Sequence, residues 1–170
     1  MHAATERSPN SPPRLRFSRN SRLLKHSSFE RIYKDGRRHF SASMTFFYIL
    51  APLPGATNPL AMHAQVGFTV GRVLGGSVER NRIKRRVRAA VRLSLPALNQ
   101  ALAHREAAAE IVINPKKSAI KTEPIALQSE VARAFTVIAT AKQVGAALTR
   151  SSEKRPASDK RSPRPLEDEQ

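Results

Sequence analysis

The stretch from Gly71 to Arg92 combines a very high positive charge with a helical repeat. It carries eight arginine or lysine side chains and one acidic residue, Glu79. From Ser77 to about Leu95 the apolar residues recur at intervals of three and four, which predicts an amphipathic helix that ends before Pro96. The fold has to bury the apolar face of this helix while its charged face stays accessible.

The charged face of this helix favours a polyanionic partner. Like charges three and four residues apart destabilise an isolated helix by about 0.2–0.5 kcal/mol per pair, and a merely solvated helix normally interleaves acidic residues. Arginine pairs bidentately with phosphate, and asparagine hydrogen-bonds sugar or base edges. The polar residues that lie broadly opposite the apolar arc are Asn81, Arg82, Arg85, Arg88 and Arg92.

The overall composition indicates the same class of partner. The 170 residues include 30 Lys and Arg against 13 Asp and Glu, a net charge of +17, which a polyanion would neutralise. We expect nucleic acid and no membrane, because prolines interrupt the uncharged stretch 40–71 well short of the roughly 20 apolar residues that cross a bilayer. The lack of cysteine and of an apolar N-terminal signal segment predicts a cytoplasmic protein.

The distribution of proline, serine and charge predicts one folded domain between two tails. Residues 1–20 and 146–170 are expected to be disordered, and residues 21–145 to form the domain. The patterns within it predict a helix capped by Ser27, strands at 44–50 and 64–70, the basic helix, a strand at 110–113 and a helix at 124–141, with a Pro-rich loop at 51–63. This order is typical of an α/β sandwich with helices packed against a sheet.

Aromatic residues form a second group of interest. Phe29 and Tyr33 are four residues apart on the first predicted helix, and Phe46, Phe47 and Tyr48 are consecutive on the first predicted strand. Three consecutive rings on a strand must place at least one on each face of the sheet. The rings outside the core serve either as further packing or as a platform on which single-stranded nucleic acid stacks.

Motifs for catalysis by the protein itself are weak. The five histidines lack metal-binding spacing, and the glycines at 71, 75 and 76 match neither a dinucleotide-binding nor a Walker loop. The carboxylates of the folded region are too isolated for a two-metal nuclease. We therefore expect no catalytic residue and no protein-bound metal, so that any associated reaction is carried out by another molecule.

The segment from Val66 to Arg88, VGFTVGRVLGGSVERNRIKRRVR, resembles the signature of the bacterial ribonuclease P protein component. The hallmark of that family is Arg-Asn-Arg followed by Lys-Arg and a further Arg on one helix. The matching positions here are Arg80, Asn81, Arg82, Lys84, Arg85 and Arg88. The likeness covers residues 20–140 approximately, and Gly71-Arg72-Val73 stands where the family usually has Ser-Lys-Lys.

The resemblance implies a fold and a set of partners. The fold is a two-layer α/β sandwich of about four strands and about three helices, with a rare left-handed strand–helix–strand crossover that carries the basic helix. The implied protein is a monomer, one per RNA, that binds the catalytic RNA of ribonuclease P and the 5′ leader of precursor tRNA. Magnesium ions, held mainly by the RNA, then assist endonucleolytic removal of the leader.

The resemblance also implies two groups of site residues. The residues expected to contact the catalytic RNA are Arg72, Arg80, Asn81, Arg82, Lys84, Arg85 and Arg88. Arg72 is included because of the positive charge of the loop before the helix. The cleft that holds the leader is lined by Phe29, Tyr33 and Phe47, with Phe46 as a further candidate if the strand register shifts by one residue.

Three other classes of protein share some of these features. A ribosome-associated RNA-binding protein would have the same charge, and a stand-alone nuclease would cleave RNA unaided. A nucleoid DNA-binding protein is less well supported, because the basic helix lies within an α/β pattern and lacks a helix-turn-helix setting.

Overall fold

The computed structural model describes residues 17–53 and 63–142, which fold around one four-stranded sheet. The elements in chain order are α1 (His26–Asp35), β1 (Arg37–Phe40), β2 (Met44–Pro52), β3 (Ala64–Phe68), α2 (Ser77–His104), β4 (Ala107–Pro115) and α3 (Pro124–Thr140). Short 3-10 helices at Arg72–Leu74 and Lys117–Ile120 precede α2 and α3. The strand order is β1-β2-β4-β3, and only the β3–β4 pair is parallel.

The predicted α/β sandwich is confirmed, with four strands and three helices. Helices α2 and α3 pack on one face of the sheet, where Phe46 of β2 meets Phe135 of α3 with ring centroids 6.5 Å apart. Helix α1 packs on the opposite face, where Ile32 is buried with Val112 of β4. Strands β3 and β4 with α2 between them form the parallel strand–helix–strand unit that carries the basic helix.

The sequence predicts that α2 ends before Pro96, but the helix continues to His104. A proline inside a helix costs about 3 kcal/mol or more, because it removes one hydrogen bond and crowds the preceding turn. Leu98 and Leu102, which lie beyond it, are buried in the main core, and each such burial contributes about 1.5–3 kcal/mol. Two buried leucines therefore offset the cost of an exposed proline.

Strand β1, four residues with the sequence RRHF, was not predicted. It is an edge strand, and edge strands are often short and charged, which hides them from a search for apolar alternation. Several boundaries also differ from the prediction. Helix α1 begins one residue before Ser27, with Lys25 as its N-cap, and α3 ends at Thr140. Strand β2 extends to Pro52, β3 ends at Phe68, and β4 spans Ala107–Pro115 rather than the predicted 110–113.

The chain packs against the core earlier than the predicted domain boundary at residue 21. Phe17 is buried, with its ring 5.8 Å from that of Phe68, and Arg22 lies over it at 5.7 Å. The predicted disorder of residues 1–16 and 146–170, and most of the predicted loop 51–63, lie outside the described residues.

Glu130 of α3 is a buried carboxylate that ties the helix to the turn between β1 and β2. It accepts hydrogen bonds from the Ser41 hydroxyl at 2.7 Å and from the backbone N–H and hydroxyl of Ser43, both at 2.9 Å. Burial by itself would raise the pKa of Glu130, but these hydrogen bonds and the charge of Arg133 outweigh it and lower the pKa below its ordinary value. The ionised carboxylate is thus favoured in the folded state.

Replacing this carboxylate should destabilise the fold in a pH-dependent way. We expect Glu130→Gln to lower the free energy of unfolding near neutral pH by about 1.5–3 kcal/mol, the value of hydrogen bonds to a charged group. Because the pKa is lower in the folded state, this contribution is present above the unfolded pKa and is lost as the pH falls through the folded pKa.

Urea unfolding of both proteins from neutral to acidic pH measures this difference. Glu123→Gln is the matched control, because Glu123 is exposed and its side chain makes no capping hydrogen bond. A difference between wild type and Glu130→Gln that stays constant with pH would contradict the assignment.

Candidate nucleic-acid interface

The basic residues of α2 lie on the side of the helix that faces away from the core. Ile83 and Val87 are buried against the sheet, while Asn81, Arg82 and Arg85 are exposed. Arg80, Lys84 and Arg88 are half-buried at the edges of this surface, and Arg72 is exposed on the 3-10 helix that leads into α2. We call the set Arg72, Arg80, Asn81, Arg82, Lys84, Arg85 and Arg88 the basic face.

The basic face has almost no internal neutralisation. Helix α2 contains one carboxylate, Glu79, and it lies in the first turn, where it complements the helix dipole. The ion pairs found within the described residues, His26 with Glu30 and Arg31 with Glu110, both lie elsewhere. The basic face therefore presents uncompensated positive charge to its surroundings.

Arg86 lies on the same helix but has a structural role. Its guanidinium donates hydrogen bonds to the carbonyls of Ala119 at 3.2 Å and Ile120 at 2.9 Å, and also to that of Thr122. These carbonyls belong to the 3-10 helix before α3 and to the residues that follow it. Arg86 thus fixes α2 against this segment and is not available as a phosphate ligand in this arrangement.

Arg88 lies where α2 meets the end of β3. Its guanidinium carbon is 5.7 Å from the centroid of the Phe68 ring, a cation–π distance. Its Nε atom is buried and makes no hydrogen bond among the described residues. The side chain is therefore held by packing, with hydrogen-bonding capacity that this part of the chain does not use.

Three aromatic rings meet on the other face of the sheet. Tyr33 of α1 packs edge-on against Phe47 of β2, with centroids 4.9 Å apart, and Phe29 packs one helical turn away. The Tyr33 hydroxyl is 2.9 Å from both the Thr69 hydroxyl and the Asn114 amide oxygen. All three rings are half-buried, and they form what we call the aromatic cleft.

The aromatic cleft depends on a glycine in β3. A Cβ atom at Gly67 would lie 2.5 Å from Cζ of Phe29, closer than side-chain atoms approach one another. Glycine at this position therefore lets the Phe29 ring lie directly against the strand. The Phe29 ring can then pack in the same cluster as Val112, between α1 and the sheet.

Phe46 does not belong to the aromatic cleft. The prediction that it lines the leader cleft if the strand register shifts by one residue is therefore wrong. Phe46 is fully buried on the opposite face of the sheet, against Phe135. Alternation along β2 places Phe47, and not Phe46, beside Tyr33. A shift of β2 by one residue would move its core-facing side chains out of the apolar core, so the burial of these side chains fixes the register.

Sequence reasoning missed the residues that hold the aromatic cleft together. Arg31 of α1 pairs with Glu110 of β4 and fixes the helix on the sheet. Arg38 of β1 lies over Phe47, with its guanidinium carbon 5.3 Å from the ring centroid. The sequence RRHF has no apolar alternation that could have indicated the place of Arg38, and the pairing of Arg31 with a residue 79 positions away had no local signal.

Within residues 17–53 and 63–142, no group of three or more His, Cys, Asp or Glu side chains is arranged to hold a metal ion. The helices of this part of the chain are all too short or too polar to cross a membrane.

Comparison with known proteins gives consistent matches along the chain. The family model for ribonuclease P matches residues 17–139. The ribonuclease P protein component of Chloroflexus aggregans is 42% identical over 80 residues, which cover 47% of this chain and 53% of that protein. The chain thus spans about half the length of this relative. The component from Maridesulfovibrio salexigens is 32% identical over 105 residues, which cover 62% of this chain and 74% of that protein.

Solved structures show the same fold. The RNase P protein of Staphylococcus aureus has a TM-score of 0.50 at 22% identity, covering 69% of this chain and 94% of that one. The RNase P protein from Thermotoga maritima has a TM-score of 0.51 at 18% identity, covering 67% and 94%. The family match runs from Phe17 almost to the end of α3 and includes both the basic face and the aromatic cleft. This chain therefore belongs to the ribonuclease P protein family.

Proposed function

We propose that this protein is the protein subunit of ribonuclease P, and that it binds the catalytic RNA and the 5′ leader of precursor tRNA. The observation that carries the proposal is the basic face, an exposed arginine surface on α2 with one carboxylate at its very start. Uncompensated charge of this density opposes helix formation. A phosphate backbone removes that repulsion and releases its own counterions on binding.

The aromatic cleft supplies a second surface suited to single-stranded RNA. Unpaired bases stack on aromatic rings, and each such stack is worth about 1–3 kcal/mol. Bases within a duplex are already stacked on one another, so rings in a cleft select an unpaired segment. The 5′ leader of precursor tRNA is the unpaired segment in this proposal.

The basic face and the aromatic cleft meet at the end of β3. Phe68 contacts Arg88 of the basic face, and the next residue, Thr69, lies beside the hydroxyl of Tyr33 in the aromatic cleft. Adjacent residues on a strand point to opposite faces of the sheet. One short segment therefore links both surfaces, which supports simultaneous contact with the catalytic RNA and with the leader that it processes.

In this proposal the protein acts by position and charge. Magnesium ions held mainly by the RNA supply the chemistry of leader removal, and the protein contributes no catalytic residue. The basic face reduces the repulsion between two polyanions, and the aromatic cleft keeps the leader extended. Holding reactants in a productive geometry lowers a barrier without any acid or base from the protein.

Loss of one arginine of the basic face should weaken binding to the catalytic RNA. For Arg82→Ala and Arg85→Ala we expect the slope of log K against log salt concentration to become shallower by about 0.7–0.9 per lost phosphate contact. Titrations of the RNA at several KCl concentrations measure this slope. Arg133→Ala, on the exposed side of α3, is the control, and a slope in Arg82→Ala and Arg85→Ala equal to that of wild type would count against RNA contact by the basic face.

Loss of a ring from the aromatic cleft should affect the precursor more than the product. We expect the holoenzyme with Phe29→Ala or Phe47→Ala to bind precursor tRNA at least about five-fold more weakly, which corresponds to one lost base stack of about 1 kcal/mol. Binding of mature tRNA, which has no leader, should change little.

Phe135→Leu is the matched control for ring loss, because Phe135 is buried in the main core away from the aromatic cleft. It should change stability without changing the preference for precursor over mature tRNA. Equal losses for both RNAs in Phe29→Ala and Phe47→Ala would mean that these rings only pack the core.

Reconstitution tests the division of labour between protein and RNA. We expect purified protein with magnesium to leave precursor tRNA intact, and the protein with the catalytic RNA to release the leader faster than the RNA alone at moderate salt. Gel analysis of end-labelled precursor measures both. Leader removal by the protein without the RNA would favour a stand-alone nuclease.

A further inference from the structure

A further aromatic ring, outside the aromatic cleft, lies on the same face of the sheet. Phe40, the last residue of β1, is 65% exposed. In the β1–β2 pairing Arg38 lies opposite Phe47 and Phe40 lies opposite Thr45. Directly opposed residues project from the same face, so Arg38 and Phe40 share the face of Phe47.

A cation lies beside the ring of Phe47 and another lies beside the ring of Phe40. The Arg38 guanidinium carbon is 5.3 Å from the centroid of Phe47, and Lys116 Nζ is 5.9 Å from the centroid of Phe40. Lys116 Nζ also donates a hydrogen bond to the carbonyl of Ser41 at 2.6 Å, which holds its charge beside the ring. Each of these two rings therefore has a cation beside it.

An exposed phenylalanine on an edge strand favours aggregation unless a binding partner covers it. Edge strands carry unpaired backbone groups, and a bare apolar ring beside them favours edge-to-edge aggregation. Glu110, the only carboxylate in the four described strands, is already paired with Arg31. A ligand that fits Phe40 and its neighbours has flat aromatic faces and negative charge, which together describe a nucleotide.

We propose that Arg38 and Phe40 extend the aromatic cleft across β1 and provide a further stacking position for the leader, an inference that rests on the proposed function. Diagonal neighbours on adjacent antiparallel strands, such as Phe40 and Phe47, are about 7–8 Å apart. Neighbouring unstacked bases of an extended strand can span that separation. Arg38 is directly opposite Phe47 and two residues from Phe40 on β1, and its guanidinium plane is itself a surface on which a base can stack.

Binding of precursor tRNA with a long single-stranded leader to the reconstituted holoenzyme tests this extension. We expect Phe40→Ala to reduce affinity for this precursor at least about five-fold, as one lost base stack would, and Phe40→Tyr to keep it. Phe40→Leu, which keeps the apolar volume but not the ring, should lose affinity like Phe40→Ala. Ile125→Ala is the control, because Ile125 is 78% exposed on α3, on the other side of the sheet.

A second variant separates stacking from charge at Arg38. Arg38→Lys keeps the positive charge but removes the planar guanidinium. We expect it to weaken binding of the long-leader precursor while the dependence on salt stays that of wild type. Wild-type affinity in Arg38→Lys would overturn the stacking role of Arg38.

The outcomes distinguish this inference from the proposed function. If Phe40→Ala binds the precursor as wild type does while Phe47→Ala loses affinity for it, the extension is wrong and the aromatic cleft stands. Equal losses for precursor and mature tRNA in Phe40→Ala would also overturn the extension. If the wild-type holoenzyme does not distinguish precursor from mature tRNA, the proposed leader binding itself fails.

Discussion

The position of both surfaces depends on the alternation of side chains along β2. Successive residues of a strand point to opposite faces, and burial of one face in the main core prevents a shift of the strand by one residue. The residues of β2 that enter this core are Met44, Phe46, Tyr48 and Leu50. Phe47 is left on the opposite face, beside α1. Hydrophobic burial on the main-core face therefore determines which ring of β2 is available to the aromatic cleft.

The same core holds α2 in place against its own charge repulsion. Ile83, Val87 and Val91 are buried against the sheet, and each buried side chain of this size contributes about 1.5–3 kcal/mol. Repulsion between neighbouring like charges costs only about 0.2–0.5 kcal/mol per pair. The helix can therefore keep a surface that no acidic residue of the described part of the chain pairs with, while Arg86 anchors it to the segment before α3.

Local periodicity was enough to predict the helices α2 and α3 and the exposed side of α2 that carries Asn81, Arg82 and Arg85, because a helix repeat places side chains without reference to the rest of the chain. Long-range packing decided the features that were missed. Buried Leu98 and Leu102 carry α2 past Pro96, and β1 is a strand because it pairs with β2, although its sequence has little strand character. The choice between Phe46 and Phe47 needed the register of the whole sheet, and Arg31 finds Glu110 only when α1 is docked.

The join between the two surfaces would let one small domain contact two RNA molecules, as the proposed function requires. Phe68 is the last residue of β3 and Thr69 follows it directly, yet one contacts Arg88 and the other contacts Tyr33. Both contacts are set by the pairing of β3 with β4, which is parallel and therefore needs α2 as its connection. The helix that carries the charge is thus also the covalent connection between the two strands whose pairing places the basic face next to the aromatic cleft.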